Sequence, residues 1–160
     1  MEILPAADMP ADRLRVYVID TWHADFVVAH GERIRPAELP GFVAIDGDRI
    51  AGHAAYRIGP DGCELVAIAA QPRRVGIGSR LLERVVEVAR DAGSGRVWLT
   101  TTNDNLDALR FYQRRGFRLR SLRAGAVVEA RRTMKPDLPE TGAYDIPMRD
   151  ELDLELPLAP

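Results

Sequence analysis

Apolar residues recur every four positions at Leu14, Val18, Trp22 and Phe26, the spacing of one face of an amphipathic helix. Pro10 and Asp12 stand where such a helix begins, so the pattern predicts a helix over residues 11–29. A loop is expected at 36–40. Two apolar runs, 42–45 and 50–58, are joined by Asp46-Gly47-Asp48 and read as a β-hairpin. A second turn, Gly59-Pro60-Asp61-Gly62, leads into residues 63–70, apolar except for Glu64, which read as a central strand. Leu81, Leu82, Val85, Val86 and Ala89 then recur at helical spacing until Gly93. Residues 96–101 read as a strand. Residues 106–115 read as a helix closed by Gly116, with Asp104 and Asp107 near its positive end and Arg114 and Arg115 near its negative end. Strands are expected over 117–130 and 151–156, separated by a Pro-rich loop at 134–148. The order α-β-β-β-α-β-α-β-β predicts an α/β protein whose sheet mixes strand directions.

A length of 160 residues predicts a single domain, 1–160, large enough to hold a core without disulfides or metal. The composition, 46% hydrophobic and 29% charged, is that of an ordinary globular protein. No apolar run approaches the ~20 residues that cross a bilayer, and the first residues show neither a basic nor an apolar leader segment. The lone Cys63 has no partner for an internal disulfide. These features predict a cytoplasmic protein without a membrane partner. The net charge of −2 offers no field for nucleic acid. Three scattered His and one Cys give no metal-ligand spacing.

Chemistry concentrates in two stretches. Arg73-Arg74-Val75-Gly76-Ile77-Gly78-Ser79 follows a predicted strand and opens a predicted helix. Glycines there let the chain turn so that successive N–H groups converge at a helix N-terminus, an arrangement that binds phosphate. A ligand-free strand-to-helix turn has the same local pattern. The stretch lacks the Gly-Lys-Ser/Thr ending of a Walker loop and the third glycine of a dinucleotide fingerprint. In the second stretch, residues 101–117, Asn105 and Tyr112 are two helical turns apart and can share one face. An Asn cap and a helical Tyr are also ordinary structural residues.

Together the two stretches resemble the GNAT superfamily of acetyl-CoA-dependent N-acetyltransferases. The family's Gln/Arg-x-x-Gly-x-Gly/Ala motif matches Arg73, Gly76 and Gly78. Its Asn-x-x-Ala-x-x-x-Tyr-x-x-x-Gly-Phe motif matches Asn105, Ala108, Tyr112, Gly116 and Phe117. Arg-Arg-x-x-Lys-Pro from Arg131 and Ile-Pro-x-Arg-Asp-Glu from Ile146 also look like a bacterial subgroup of the family. Ala70 departs from the pattern, since many relatives carry a proline there and this chain has Pro72 instead. The resemblance implies a mostly antiparallel central sheet with splayed central strands, flanked by helices. It places the pyrophosphate of acetyl-CoA on the N–H groups of Arg74, Val75, Gly76, Ile77, Gly78 and Ser79, with Arg73 beside them. It runs the pantetheine arm along the 63–70 strand near Ile68 and Ala70, with Asn105 and Ala108 contributing from the second motif. Tyr112 would protonate the departing thiolate, since a phenol of pKa ~10 is a reasonable donor to a thiol sulfur of pKa ~8.5 or above.

Glu64 matches a strand position where many relatives carry the carboxylate that deprotonates the substrate ammonium. Only a neutral amine can attack a thioester, so such a base is needed. A Glu in an apolar strand either faces a cleft or has a buried partner such as an Arg. Asp104, His53 and His23 are weaker candidates. Trp22 and Phe26 are core residues or walls of an acceptor cleft, and the 134–148 loop either closes over the acceptor or forms dimer contacts. Cys63 reads as a small core residue. The expected reaction is direct transfer of acetyl to a primary amine, on a small molecule or a peptide, without metal. A CoA-binding sensor without turnover would use the same glycine turn. The apolar–acidic last strand leaves open pairing within the sheet or across a homodimer.

Overall fold

The computed structural model describes residues 1–73 and 75–159. It is a mixed α/β structure whose seven-stranded sheet has the order β1 (Glu2–Pro5), β4 (Gly41–Asp46), β5 (Arg49–Gly59), β6 (Gly62–Ala70), β7 (Arg96–Thr102), β9 (Glu151–Pro157), β8 (Arg118–Arg123), with a separate hairpin of β2 (Val27–Ala29) and β3 (Glu32–Ile34). The chain divides into two compact units, Met1–Val27 with Arg35–Val97 and Leu158–Pro160, and Val28–Ile34 with Trp98–Pro157.

The first unit holds β1 (Glu2–Pro5), α1 (Ala11–Trp22), β4 (Gly41–Asp46), β5 (Arg49–Gly59), β6 (Gly62–Ala70) and α2 (Ile77–Asp91). Its strands pair antiparallel, β1 with β4, β4 with β5 and β5 with β6. The two hairpins form where the turn residues predict them. The stripe Leu81, Leu82, Val85, Val86 and Ala89 of α2 is buried, each side chain stabilising the fold by about 1–3 kcal/mol relative to exposure. Helix and sheet meet closely at Gly52, where a Cβ would lie 2.9 Å from both Ile77 Cγ2 and Leu81 Cδ1. A second cluster joins Leu14 of α1 to Ala6, Val43 and Ile50.

Two sequence expectations are corrected here. The predicted 11–29 helix stops at Trp22, because His23 takes a left-handed conformation (φ 62°) and its N–H caps the Ile19 carbonyl. Phe26 therefore lies beyond the helix whose spacing it extends. Strand β1 has too short a pattern to stand out, and its pairing with β4 is what makes it a strand.

The second unit contains a hairpin between β2 (Val27–Ala29) and β3 (Glu32–Ile34), most of β7 (Arg96–Thr102), α3 (Leu106–Arg114), β8 (Arg118–Arg123), α4 (Ala126–Thr133) and β9 (Glu151–Pro157). The hairpin turns at His30 and Gly31, both at positive φ, as tight two-residue hairpins favour. The predicted strand over 117–130 is also corrected. It ends at Arg123, Gly125 turns the chain at φ 75°, and α4 follows with Val127 and Ala130 buried three residues apart. Val127 and Val128 carry the β-branched character of a strand, but the Asp150 carboxylate accepts the Gly125 N–H at 2.8 Å and helps fix the turn into a helix. The last strand, β9, pairs within the sheet, between β7 and β8.

Candidate active site

In the first unit, residues 71–76 connect β6 to α2. Ile68 and Ala70 are half-buried on β6, opposite Ala54 and Gly52 of β5. Gly76 caps α2 at φ 86°, and a Cβ built there would meet no atom of the described residues within 4 Å. Only glycine adopts that φ without strain. Ile77 is buried and anchors the first turn, while Gly78 and Ser79 follow in it. The N-cap Gly76 makes no side-chain cap hydrogen bond, and the first turn holds no acidic residue. Its first N–H groups thus keep their partial positive charge for an anion. Val75 is exposed, Arg73 is exposed on the same turn, and Arg74 lies outside the described residues.

Glu64 is 3% exposed on β6. Arg57, its register partner on β5, donates from Nε to Oε2 at 2.7 Å. The carboxylate thus has a buried ionic partner, one of the two arrangements expected of a Glu in an apolar strand. Cys63 beside it is fully buried, and burial, with the nearby Glu64 carboxylate, pushes its thiol up to about 11, so it stays protonated. His53 is 1% exposed at the centre of β5, its Nε2 has no hydrogen-bond partner among the described residues, and its ring meets Tyr17 edge-on. Burial lowers its pKa to about 4, which keeps it neutral. His23 is exposed at the end of α1, and Trp22 and Phe26 are half-buried.

In the second unit, Asn105 is the N-cap of α3. Its Oδ1 accepts the Ala108 N–H at 3.3 Å and its Nδ2 donates to Thr101 Oγ1 at 3.3 Å. Ala108 is half-buried one turn on. Tyr112 is 6% exposed, with its ring between Phe111 and Phe117 at centroid distances of 5.2 Å each. Burial pushes its phenol well above the usual tyrosine value, so it carries its proton throughout the physiological range.

Asp104 is committed to the 134–148 loop. It accepts from Thr102 Oγ1 at 2.5 Å and from the Ala143 N–H at 2.9 Å. Asn103, which the sequence reading passed over, accepts the N–H groups of Arg149 and Asp150 and donates to the Pro147 carbonyl. Adjacent residues at the end of β7 thus tie down the loop that precedes β9, a role for which the local pattern carries no signal. Arg57 was also missed, although the turn at 59–62 sets Arg57 opposite Glu64 once the hairpin is counted out. Among the described residues no group of three or more His, Cys, Asp or Glu could hold a metal ion, and no helix is long and apolar enough to cross a membrane.

Comparison with known proteins matches residues 6–117 to the model of the Acetyltransferase (GNAT) family. The chain is 36% identical over 153 residues to the uncharacterized protein YxbD of Bacillus subtilis (strain 168), covering 95% of this chain and 96% of that protein. It is 37% identical over 87 residues to the streptothricin acetyltransferase of Streptomyces lavendulae, covering 51% of this chain and 46% of that protein. Its fold is similar to that of a Bacillus subtilis acetyltransferase crystallised with CoA, with a TM-score of 0.72, 19% identity and 99% of each chain covered.

Proposed function

Because this chain belongs to the GNAT acetyltransferase family, we propose that it is a cytoplasmic, acetyl-CoA-dependent N-acetyltransferase acting by direct transfer to a primary amine. The observation that carries this reading is the left-handed Gly76 cap, which starts α2 a few residues after β6 without a side-chain cap of its own. That end suits the pyrophosphate of acetyl-CoA, received by the N–H groups from Val75 through Ser79, with the arginines at 73 and 74 adding positive charge. Ile68 and Ala70 on β6 border the pantetheine arm, and Asn105 and Ala108 at the start of α3 contribute from the second motif.

In the transfer, the neutral amine nitrogen attacks the thioester carbonyl. A C–N bond forms, the C–S bond breaks, and the sulfur leaves as thiolate. Tyr112 gives the thiolate its proton; burial keeps the phenol protonated in the physiological range but also makes it a weaker acid. Glu64, held by Arg57, takes a proton from the incoming ammonium by way of water. The likeness to a streptothricin acetyltransferase over half of this chain favours a small-molecule acceptor over a peptide.

Thiol release from acetyl-CoA with a panel of primary amines tests the reading. Turnover that depends on the amine supports it. Tight acetyl-CoA binding without turnover on any amine would instead make the protein a CoA sensor.

A further inference from the structure

Within the second unit, Asn105 is set between residues that are tied to the segment 140–150. Before it, Asn103 Oδ1 accepts the N–H groups of Arg149 and Asp150 at 2.9 and 3.0 Å. Asn103 Nδ2 donates to the Pro147 carbonyl at 2.9 Å, and its backbone N–H donates to the Asp150 carbonyl at 3.0 Å. Asp104, 5% exposed, accepts the Ala143 N–H at 2.9 Å. After it, Asp107 in the first turn of α3 accepts the Tyr144 hydroxyl at 2.6 Å. Segment and turn approach so closely at Gly142 that a Cβ there would run into the Asp104 carboxylate and Met148.

The segment keeps an unfavourable conformation where it meets the turn. Tyr144 and Asp145 both lie at positive φ, 57° and 59°, and neither is glycine. Such backbone persists only where surrounding contacts over-determine it. Tyr144 is 61% exposed, so burial of its ring contributes little to holding it. Asn105, by contrast, is held lightly. It is exposed, and its side-chain bonds to the Ala108 N–H and to Thr101 are both 3.3 Å, longer than the usual range of about 2.7–3.2 Å. Bonds of that length leave its place to be set by the neighbours on either side.

We infer that the segment 140–150 is a strap that positions Asn105 against the pantetheine arm of acetyl-CoA, with Asn103 and Tyr144 as positioning residues that touch no substrate themselves. The inference rests on the placement of Asn105 beside that arm in the reading above. Anchors on both sides of Asn105 fix the backbone from which its side chain projects, so less order has to be gained when the arm binds. Bonds that served only the entry into β9 would leave ligand affinity untouched.

The test combines amide hydrogen exchange with calorimetric titration of acetyl-CoA, both on the full chain. Tyr144→Phe removes one hydroxyl from an exposed side chain and should leave the fold intact, while Asn103→Ala loosens the other side of Asn105. Each should speed exchange of the Ala108 and Leu109 N–H groups about two- to tenfold, the effect of one ordinary hydrogen bond, without changing exchange in α2. Each should weaken acetyl-CoA by about the same two- to tenfold. In an Asn105→Ala background neither should weaken it further, since the side chain they position is gone. A merely structural role would weaken binding equally in both backgrounds or not at all. Either result overturns the inference, as does unchanged exchange at the start of α3. If acetyl-CoA does not bind the parent chain, the transferase reading fails and the strap's part in binding fails with it. If acetyl-CoA binds and Asn105→Ala leaves its affinity unchanged, the transferase reading stands and the strap inference alone falls.

Discussion

Arg57 and Glu64 face each other across the β5–β6 ladder, and the guanidinium Nε donates to the carboxylate at 2.7 Å. The Glu64 side chain is 5% exposed and that of Arg57 is 32% exposed, so the carboxylate depends on this partner more than the guanidinium does. Arg57→Met should cost about 1–3 kcal/mol of stability, because it takes a charged donor away from a buried carboxylate. Glu64→Gln in the Arg57→Met background should restore part of that loss. Urea unfolding of both single variants and the double variant measures the coupling. Strictly additive losses would mean that the pair is not energetically linked.

Glu64→Gln alone keeps the shape of the side chain and removes the proposed base. It should lower the acetylation rate and flatten the acid limb of the pH–rate profile, with acetyl-CoA affinity nearly unchanged. A full rate with an unaltered profile would leave Glu64 only its structural role beside Arg57.

Gly76→Val places a β-branched residue at φ 86° and points its side chain into the space above the α2 N-terminus. The backbone strain is about 1–3 kcal/mol. Acetyl-CoA affinity should fall roughly tenfold or more, since the N–H groups at the turn lose their arrangement and the phosphates are crowded. Calorimetry decides the matter, and equal affinities for variant and parent would remove acetyl-CoA from this turn.

Tyr112→Phe removes one hydroxyl and keeps the ring that packs on Phe111 and Phe117. The rate of thiol release should fall by roughly 10²–10⁴, the usual contribution of a general acid. Melting temperature and acetyl-CoA affinity should change little. A large loss of stability with a modest loss of rate would identify the hydroxyl as a structural group. Because burial raises the Tyr112 phenol, this residue should contribute no alkaline limb to the rate near neutral pH.

His53 couples the fold to pH. Its folded value is about 4, below the ~6.5 of an unfolded histidine. Between those two values the unfolded chain binds the proton and the folded chain does not, so stability rises with pH through this window and levels off above it. Acidification across the window should remove about 3 kcal/mol. His53→Leu should abolish this component, read from urea unfolding at a series of pH values. A slope identical to that of the parent would assign the acid sensitivity to other groups.

The division between legible and illegible features follows the range of the forces involved. The β4–β5 and β5–β6 hairpins are legible because Asp46-Gly47-Asp48 and Gly59-Pro60-Asp61-Gly62 act on neighbours a few residues away. The α2 stripe and the Gly76 turn are legible for the same reason: one periodicity and one backbone conformation, both local. With the 59–62 turn in place, even the pairing of Arg57 with Glu64 follows by counting.

Where the local signal is ambiguous, contacts from elsewhere in the chain decide the outcome. Residues 126–133 could be strand or helix by composition. Gly125 and the Asp150 carboxylate, 25 residues apart, favour the helix. Asn103 and Asp104 carry no mark of the loop they hold, because their partners lie roughly 40 residues onward. The hydrogen bond from the His30 N–H to the Glu151 carboxylate spans 121 positions. The sequence by itself determined the Gly76 turn, the hairpins and the residues with chemical capacity, since each depends on residue identity and short-range conformational preference. Only the tertiary structure decided which of those residues are buried and paired, because burial and ion pairing depend on distances in space that sequence spacing does not encode.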